Sequence, residues 1–296
     1  MSSMLIFLLG AINILSFTCQ SFFSKLYSLS YTGPSTAATP VFASLYGLIV
    51  GFITLAVGAG FQFSAALPTW LIGLSNGLIL FLFNLSNVSA SRTGPYTLQS
   101  LMTYSGNVLI TLLFSTVVWH DHLAWYQLMG IAVMLLSFIM INLQSSAFII
   151  RKKSYFLWIA LLFITNGAYG VLMDAQQRIM QQTQRNEMII ITFFSSAIIS
   201  LIYLVLTQKN RSMQAFSMPK KAWLHLCAAS IAAASGVYTM MVLLANLSSS
   251  ILYTIQNGAV LALTILLGHF ILKEKLTRRM VLGILLSIIS LVLLAM

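Results

Sequence analysis

The sequence predicts an all-α integral membrane protein whose roughly ten transmembrane helices form two inverted five-helix repeats. Three observations predict this fold. The 296-residue chain is 59% hydrophobic and only 6% charged, whereas a soluble domain carries about 25% charged residues. The apolar residues fall in runs of roughly twenty, the length that crosses about 30 Å of hydrocarbon as a helix. The motif Tyr-Thr-Leu-Gln at 96–99 recurs as Tyr-Thr-Ile-Gln at 253–256.

Each apolar run is expected to be a helix, because lipid cannot satisfy unpaired backbone N–H and C=O groups. By hydropathy, the predicted spans are Met4–Tyr27, Ala37–Ala59, Trp70–Val88, Pro95–Trp119, Leu123–Leu143, Tyr155–Arg178, Glu187–Thr207, Ala222–Leu244, Ile251–Leu272 and Met280–Ala295. The first span is too long and too polar for a cleaved signal peptide, and no basic residue precedes it.

The two halves of the chain are diverged copies of each other. Asn13 and Lys25 in the first span match Asn166 and Arg178 in the sixth, with the same separation. Because each half has an odd number of spans, the second half crosses the membrane in the opposite direction. An inverted repeat of this kind places a substrate site near the midplane, between the halves.

A polar linker ending at residue 153 separates the repeats, which are predicted at 1–147 and 154–296 and together form one transport domain. Thirteen of the fifteen Lys and Arg residues fall on one side of this ten-span arrangement. The positive-inside rule assigns that side to the cytoplasm, so both termini are predicted to lie on the extracytoplasmic side of the cell membrane.

The charges and short motifs argue against other classes of protein. The net charge of +11 comes from basic residues at the ends of apolar runs, where they set topology, so no nucleic-acid partner is expected. The cluster at 120–122, His-Asp-His, lacks further ligands and predicts neither a metal nor a cofactor. With only four acidic residues, no catalytic cluster is found, and the chain is not predicted to be an enzyme. The expected partners are the lipid bilayer and a small-molecule substrate, with the protein a monomer or a homodimer.

Each half also carries the same three landmarks: a basic residue that closes the first span, an acidic residue in the tight turn before the fifth span, and a glycine nine residues later. These are Lys25, Asp121 and Gly130 in the first half and Arg178, Glu274 and Gly283 in the second. Together with the duplicated ten-span layout, they resemble the drug/metabolite transporter superfamily, in its ten-helix EamA-like branch.

This resemblance covers the whole chain and implies a secondary transporter for small organic solutes. Two features depart from the family pattern. A Trp-Gly pair common in the family's first helix is replaced by Leu15-Ser16 and Tyr169-Gly170. The termini of relatives are usually cytoplasmic, whereas the charge distribution here places them outside.

Polar side chains recur at helical spacing inside six of the apolar spans. A polar group in hydrocarbon is costly unless it has a partner or faces water, so these stripes indicate a cavity. Alternatively, each amide or hydroxyl forms an interhelical hydrogen bond that contributes about 0.6 kcal/mol. If the stripes converge, the predicted substrate-binding residues are Asn13, Gln20, Asn84, Tyr96, Gln99, Thr103, Asn107, Asn166, Tyr169, Tyr238, Tyr253, Gln256 and Asn257.

The acidic residues have separate interpretations. Asp174 is the one acidic residue inside a predicted span, which makes it a candidate for proton coupling. Alternatively, it pairs with Arg178 four residues on, near the helix end. Asp121 and Glu274 are predicted to be structural turn residues that accept hydrogen bonds from N–H groups at the start of the next helix.

The sequence therefore favours a secondary transporter that moves a small polar or zwitterionic organic metabolite by alternating access between the two repeats. An amino-acid-like solute is the first guess. The alternative is a lipid flippase or an accessory membrane subunit that transports no solute. Gln99→Ala and Gln256→Ala are both predicted to abolish transport without unfolding the protein.

Overall fold

The computed structural model describes residues 3–34, 36–120, 124–142, 153–181, 183–208, 214–247, 249–273 and 276–295. In these residues the chain forms ten α-helices and no β-strand, which confirms the predicted all-α fold. The helices are α1 (Ser3–Ser30), α2 (Ala38–Ile53), α3 (Leu67–Thr93), α4 (Tyr96–Val118), α5 (Trp125–Asn142), α6 (Lys153–Ile179), α7 (Arg185–Gln208), α8 (Lys220–Leu244), α9 (Ser249–Phe270) and α10 (Arg278–Ala295).

The helix ends lie within a few residues of the predicted spans. One clear difference is at the end of α3, which was expected at Val88 but lies at Thr93. The last turn of α3 is polar, so hydropathy ends the span early although the backbone hydrogen bonds continue. The second span also differs, because α2 ends at Ile53 and is followed by a π-helical turn at Thr54–Gly58.

A sharp break at Gly94-Pro95 separates α3 from α4. Pro95 has extended backbone and precedes α4, and its missing N–H prevents the two helices from joining. A Cβ at Gly94 would lie 2.1 Å from the ring of Tyr155, whose hydroxyl donates to the Pro95 carbonyl over 3.2 Å. The start of α6 is thus held against this turn, directly beside the first copy of the repeated motif.

The described residues include seven helical segments long and apolar enough to cross a membrane, which correspond to α1–α4 and α6–α8. Shorter apolar segments, Ile255–Phe270 and Val281–Ser290, lie in α9 and α10. Many large apolar side chains point outward, among them Phe7, Leu71 and Leu206. An apolar surface of this extent is expected where a protein contacts lipid.

The main helix contacts follow the repeat. α1 packs on α8 as α6 packs on α3, and the pairs α2–α7, α4–α9 and α5–α10 each join a helix to its own counterpart. In the last pair, the Ser137 hydroxyl donates to the Gly283 carbonyl and the Ser290 hydroxyl to the Gly130 carbonyl, both over 2.6 Å. These residues correspond between the halves, so a pseudo-twofold axis relates the two bonds. The repeat boundaries themselves stay predictions, because the linker lies outside the described residues.

Two hydrophobic clusters flank the centre of the bundle. One is built mainly by α1, α2, α7 and α8 and contains Phe193, and the other mainly by α4, α6 and α9 and contains Leu261. The rings of Phe17 and Phe83 pack against both clusters. The space between the clusters is where the polar stripes meet.

Candidate functional site

A cavity lies between the two hydrophobic clusters, beside the middle of α1 and α6. Eight helices build its wall, α1–α4 and α6–α9, so both repeats contribute to it. The lining residues are Phe17, Gln20, Ser21, Tyr46, Leu80, Phe83, Asn87, Gln99, Ser100, Thr103, Tyr104, Asn107, Asn166, Tyr169, Phe193, Val237, Met240, Tyr253, Gln256 and Asn257.

The cavity is narrow in this conformation. The space open to the centres of water molecules is about 70 Å³, whereas small-molecule sites usually enclose about 300–1,000 Å³. The cavity is therefore contracted in this conformation. A metabolite can enter it only if helices of the wall move apart.

Nine of the thirteen predicted substrate-binding residues line this cavity. They are Gln20, Gln99, Thr103, Asn107, Asn166, Tyr169, Tyr253, Gln256 and Asn257. The stripes of α1, α4, α6 and α9 thus converge, and the two copies of the repeated motif each contribute their glutamine to one space.

The other four lie elsewhere in the fold. The Asn13 amide donates to the Gly236 carbonyl over 2.8 Å and to the Thr239 hydroxyl over 3.1 Å, which ties α1 to α8. Tyr96 is fully buried and donates to the Ser21 hydroxyl over 2.8 Å.

Asn84 is buried next to Phe83, whose ring does line the cavity. Tyr238 is 48% exposed, because in α8 it is Val237 and Met240 that turn towards the cavity. Successive residues of a helix point about 100° apart, since one turn takes 3.6 residues. The polar positions of α8 therefore indicate the wrong face of that helix.

Sequence reasoning missed several apolar and aromatic wall residues, namely Phe17, Tyr46, Leu80, Phe83, Phe193, Val237 and Met240. A signal was available for part of this set. Phe17 lies between Asn13 and Gln20 at helical spacing, so it shares the face of the polar stripe in α1. Tyr46 and Phe193 lie in apolar runs without such a stripe, and nothing local marks them.

The two motif glutamines have different surroundings. The Gln99 amide nitrogen donates to the Asn87 carbonyl over 3.1 Å and also to the Asn87 side-chain oxygen. Its oxygen accepts from the Ser91 hydroxyl over 2.9 Å. By contrast, the Gln256 side-chain oxygen is buried without a hydrogen-bond partner. An unpaired buried acceptor costs about 1–3 kcal/mol. Gln99 therefore serves the fold, whereas Gln256 is a cavity-lining residue whose acceptor has no partner.

Three asparagines join α4, α6 and α9 at one end of the cavity. The Asn107 amide donates to the Asn166 carbonyl over 3.2 Å, and the Asn166 amide donates to the Thr103 carbonyl over 2.7 Å. The Asn257 amide donates to its own helix at Tyr253 over 2.6 Å and contacts the Asn107 side-chain oxygen at 3.4 Å. These bonds hold three cavity-lining amides in defined orientations across the repeat interface.

Asp174 lies beside this region and is paired. Its carboxylate accepts from Arg178 over 2.9 Å, an ion pair four residues apart in α6. The Arg178 guanidinium also lies over the Trp119 ring, 5.2 Å from its centroid. The alternative interpretation of Asp174 as an ion-pair partner thus has a geometric basis. Asp121 and Glu274, predicted as turn residues, lie outside the described residues.

No group of three His, Cys, Asp or Glu side chains in the described parts of the chain is arranged to hold a metal ion. The wall instead consists of amides, hydroxyls, aromatic rings and aliphatic side chains. Such groups can bind, orient and release a solute.

A ten-helix bundle with inverted repeats and a polar cavity between them has the architecture of a secondary transporter. Residues 153–296 match the sequence model of the EamA-like transporter family. This match places the second half of the chain in that family and confirms the resemblance to the drug/metabolite transporter superfamily. The apolar helices are those of a multi-pass integral membrane protein, and the family match of the second half indicates a transporter of the drug/metabolite type.

The fold of the whole chain has a relative among solved structures. A crystal structure is similar over 99% of this chain and 96% of its own chain, with a TM-score of 0.68 and 16% sequence identity. At this identity the likeness supports the fold alone. A comparison with curated proteins found no match.

Proposed function

We propose that this transporter moves a small polar organic metabolite, uncharged or zwitterionic, through the cavity between its repeats. The observation that carries the proposal is Gln256, which lines the cavity between the repeats and has a buried side-chain oxygen without a hydrogen-bond partner. A solute that donates a hydrogen bond to this oxygen would remove the cost of leaving it unpaired. An amino-acid-like solute, the first guess from the sequence, is the zwitterionic member of this class.

We propose that transport proceeds by alternating access. In an inverted repeat, each half adopts the conformation of the other when the carrier changes the side to which it opens. The narrow cavity fits a state in which the solute path is contracted. Binding would widen the cavity, and closing around the solute would recover contacts between the halves.

We propose that Asp174 stabilises the end of α6 and does not carry a coupling proton. Its carboxylate is engaged by Arg178 over 2.9 Å, one turn from the end of the helix. If Asp174 did carry the proton, Asp174→Asn would abolish the response of uptake to an imposed pH gradient. We expect the variant to keep both uptake and that response.

We propose a cell-membrane location with both termini extracytoplasmic. The ends of α1 and α3 carry Lys25 and Arg92, and the end of α6 carries Arg178. The first two lie on the side where most basic residues are found, which the positive-inside rule assigns to the cytoplasm. Reporter fusions at residue 296 distinguish the sides, and a cytoplasmic C-terminus would overturn this orientation.

The alternative of a lipid flippase requires a polar groove open to the bilayer. The outward groove between α3 and α7 is lined mostly by apolar side chains, including Trp70, Leu74 and Phe194. Such a surface suits lipid tails but offers little to a polar headgroup. The polar groups described above face the centre of the bundle, which favours a soluble substrate.

The test is uptake into liposomes that contain the purified protein, screened with amino acids, sugars, nucleobases and quaternary amines. We expect Gln256→Ala to lose saturable uptake of the transported class while its melting temperature stays at or above that of the original protein. The matched control is Gln62→Ala, because Gln62 is exposed outside the helices. Unchanged uptake and affinity in Gln256→Ala would remove Gln256 from the site.

A further inference from the structure

Among the described residues that line the cavity, two have a buried side-chain polar atom without a hydrogen-bond partner. These atoms are the Gln256 side-chain oxygen and the Ser100 hydroxyl oxygen, one from each repeat. Native proteins pair almost all buried polar atoms, and exceptions are often functional. An amide oxygen can only accept, so a ligand that satisfies Gln256 must carry an N–H or O–H donor. A tetraalkylammonium ion without a hydroxyl group has none and does not meet this requirement.

The described residues that line the cavity carry no formal charge. Burying an ion without a counter-charge is strongly unfavourable. The Asp174 carboxylate is already engaged by Arg178, so it is a poor partner for a substrate ammonium. A ligand that is uncharged when bound fits this wall better than a cation, an anion or a zwitterion.

Aromatic rings form a large share of the same wall. Rings from α1, α2, α3, α4, α6, α7 and α9 line it, and Tyr46 and Phe193 have centroids 5.7 Å apart. Aromatic side chains bind planar bases through their faces. Glutamine and asparagine recognise the edge of a heterocyclic base, because an amide presents a donor and an acceptor side by side. Gln256 and Asn257 bring such groups next to the ring of Tyr253.

Together these features define a ligand that is planar, uncharged and able to donate a hydrogen bond. We propose that the cavity accepts a nucleobase-like heterocycle, whose N–H donates to the Gln256 side-chain oxygen while its ring contacts the aromatic wall. This inference rests on the proposed function, because it names the substrate class of the same site. Entry requires the cavity to widen from its contracted state.

The test uses a matched pair of probes. Uracil has two N–H donors, and 1,3-dimethyluracil keeps the same ring and carbonyl groups without them. A ligand that binds the folded protein raises its melting temperature in a saturable way. We expect uracil or adenine to raise it and 1,3-dimethyluracil to do so at least tenfold more weakly, with uridine showing whether a ribose is also accepted.

The variant Gln256→Met removes the acceptor but keeps the length of the side chain, and Gln62→Ala is the control. We expect Gln256→Met to weaken uracil binding at least tenfold, a change of about 1.4 kcal/mol, and Gln62→Ala to leave it unchanged. Equal binding of uracil and its dimethyl analogue, or equal binding by Gln256→Met, would overturn the proposal.

The remaining outcomes separate this inference from the proposed function. If glutamine binds and enters liposomes in a Gln256-dependent way while uracil and adenine do neither, the heterocycle proposal fails and the proposed function stands. If no amino acid, base, sugar or quaternary amine binds or enters, both fail.

Discussion

The contact between α4 and α6 joins the two repeats. Its counterpart under the repeat is the contact between α9 and α1, but the two contacts are packed differently. A Cβ added to Gly106 would lie 2.2 Å from the Phe163 carbonyl oxygen, and one added to Gly167 would lie 2.7 Å from the Gly106 carbonyl oxygen. By counting from the paired motifs, Leu263 corresponds to Gly106 and Ile14 to Gly167. α1 and α9 are in contact over a shorter stretch than α4 and α6.

This difference shows that duplication preserved the fold while the packing diverged. Glycines let α4 and α6 touch through their backbones. Leu and Ile at the equivalent places have larger side chains and would not allow α9 and α1 to approach as closely. We therefore expect the α4–α6 contact to be the firmly closed one and the α1–α9 contact to open first. Under the alternating-access proposal, the two contacts would exchange states during transport.

The largest expected effect comes from filling the close contact. Gly106→Leu places a side chain against a backbone carbonyl that cannot move aside, and overpacking of this kind costs about 1–3 kcal/mol or more. We expect a large loss of folded protein, measured by size-exclusion chromatography and thermal unfolding. Gly10→Leu is the control, because a Cβ at Gly10 would contact nothing within 4 Å. Equal losses in the two variants would contradict the proposed role of this contact.

The basic residues that close α1 and α6 provide a second comparison. Lys25 is 6% exposed, and its ammonium donates to the Ser91 and Gly94 carbonyls at the end of α3. Hydrogen bonds to a buried charge contribute about 1.5–3 kcal/mol, so Lys25→Met should lower the melting temperature clearly.

Asp174→Asn breaks an ion pair whose arginine side chain is 35% exposed, and we expect the free energy of unfolding to fall by about 0.5 kcal/mol. The reverse order in thermal unfolding would show that these assignments are wrong.

The motif glutamines sharpen the comparison at the site itself. Gln99→Ala leaves Ser91 and Asn87 without their partner, so we expect the free energy of unfolding to fall by about 1–3 kcal/mol. Gln256→Ala removes an unpaired acceptor and should not destabilise the protein. The structure thus revises the expectation that both variants spare folding. Thermal unfolding of the two variants side by side is the measurement, and equal stability would mean that the Gln99 bonds contribute little.

A further small effect tests the pseudo-twofold axis. Ser137→Ala and Ser290→Ala each remove one of the two equivalent hydrogen bonds between α5 and α10, and Ser137→Ala also removes the 2.6 Å contact between the Ser137 and Ser287 hydroxyls. Interhelical bonds of this kind contribute about 0.6 kcal/mol, so both variants should lose small amounts of stability, with the larger loss in Ser137→Ala. A larger loss in Ser290→Ala, measured by thermal unfolding, would contradict the equivalence of the two bonds.

Much of the fold could be predicted from the sequence. Hydropathy located the helices because lipid requires long apolar helical spans, and it missed the polar last turn of α3 and the π-helical turn after α2. The convergence of nine predicted residues on one cavity has the same origin, because polar side chains in apolar spans must face partners or water. Asn13 and Tyr96 show that a polar side chain in a span can instead bond a neighbouring helix.

The sequence by itself determined the ten-helix arrangement, the duplication and the polar character of the cavity, because these depend on hydropathy and helical spacing along the chain. Only the tertiary structure decided which face of α8 meets the cavity. It also decided that the Gln99 side chain forms hydrogen bonds through both its nitrogen and its oxygen, whereas the Gln256 oxygen has no partner. It also showed that α4 and α6 close on their glycines. These properties depend on how each helix is rotated against its neighbours, and that rotation is set by contacts between residues far apart in the sequence.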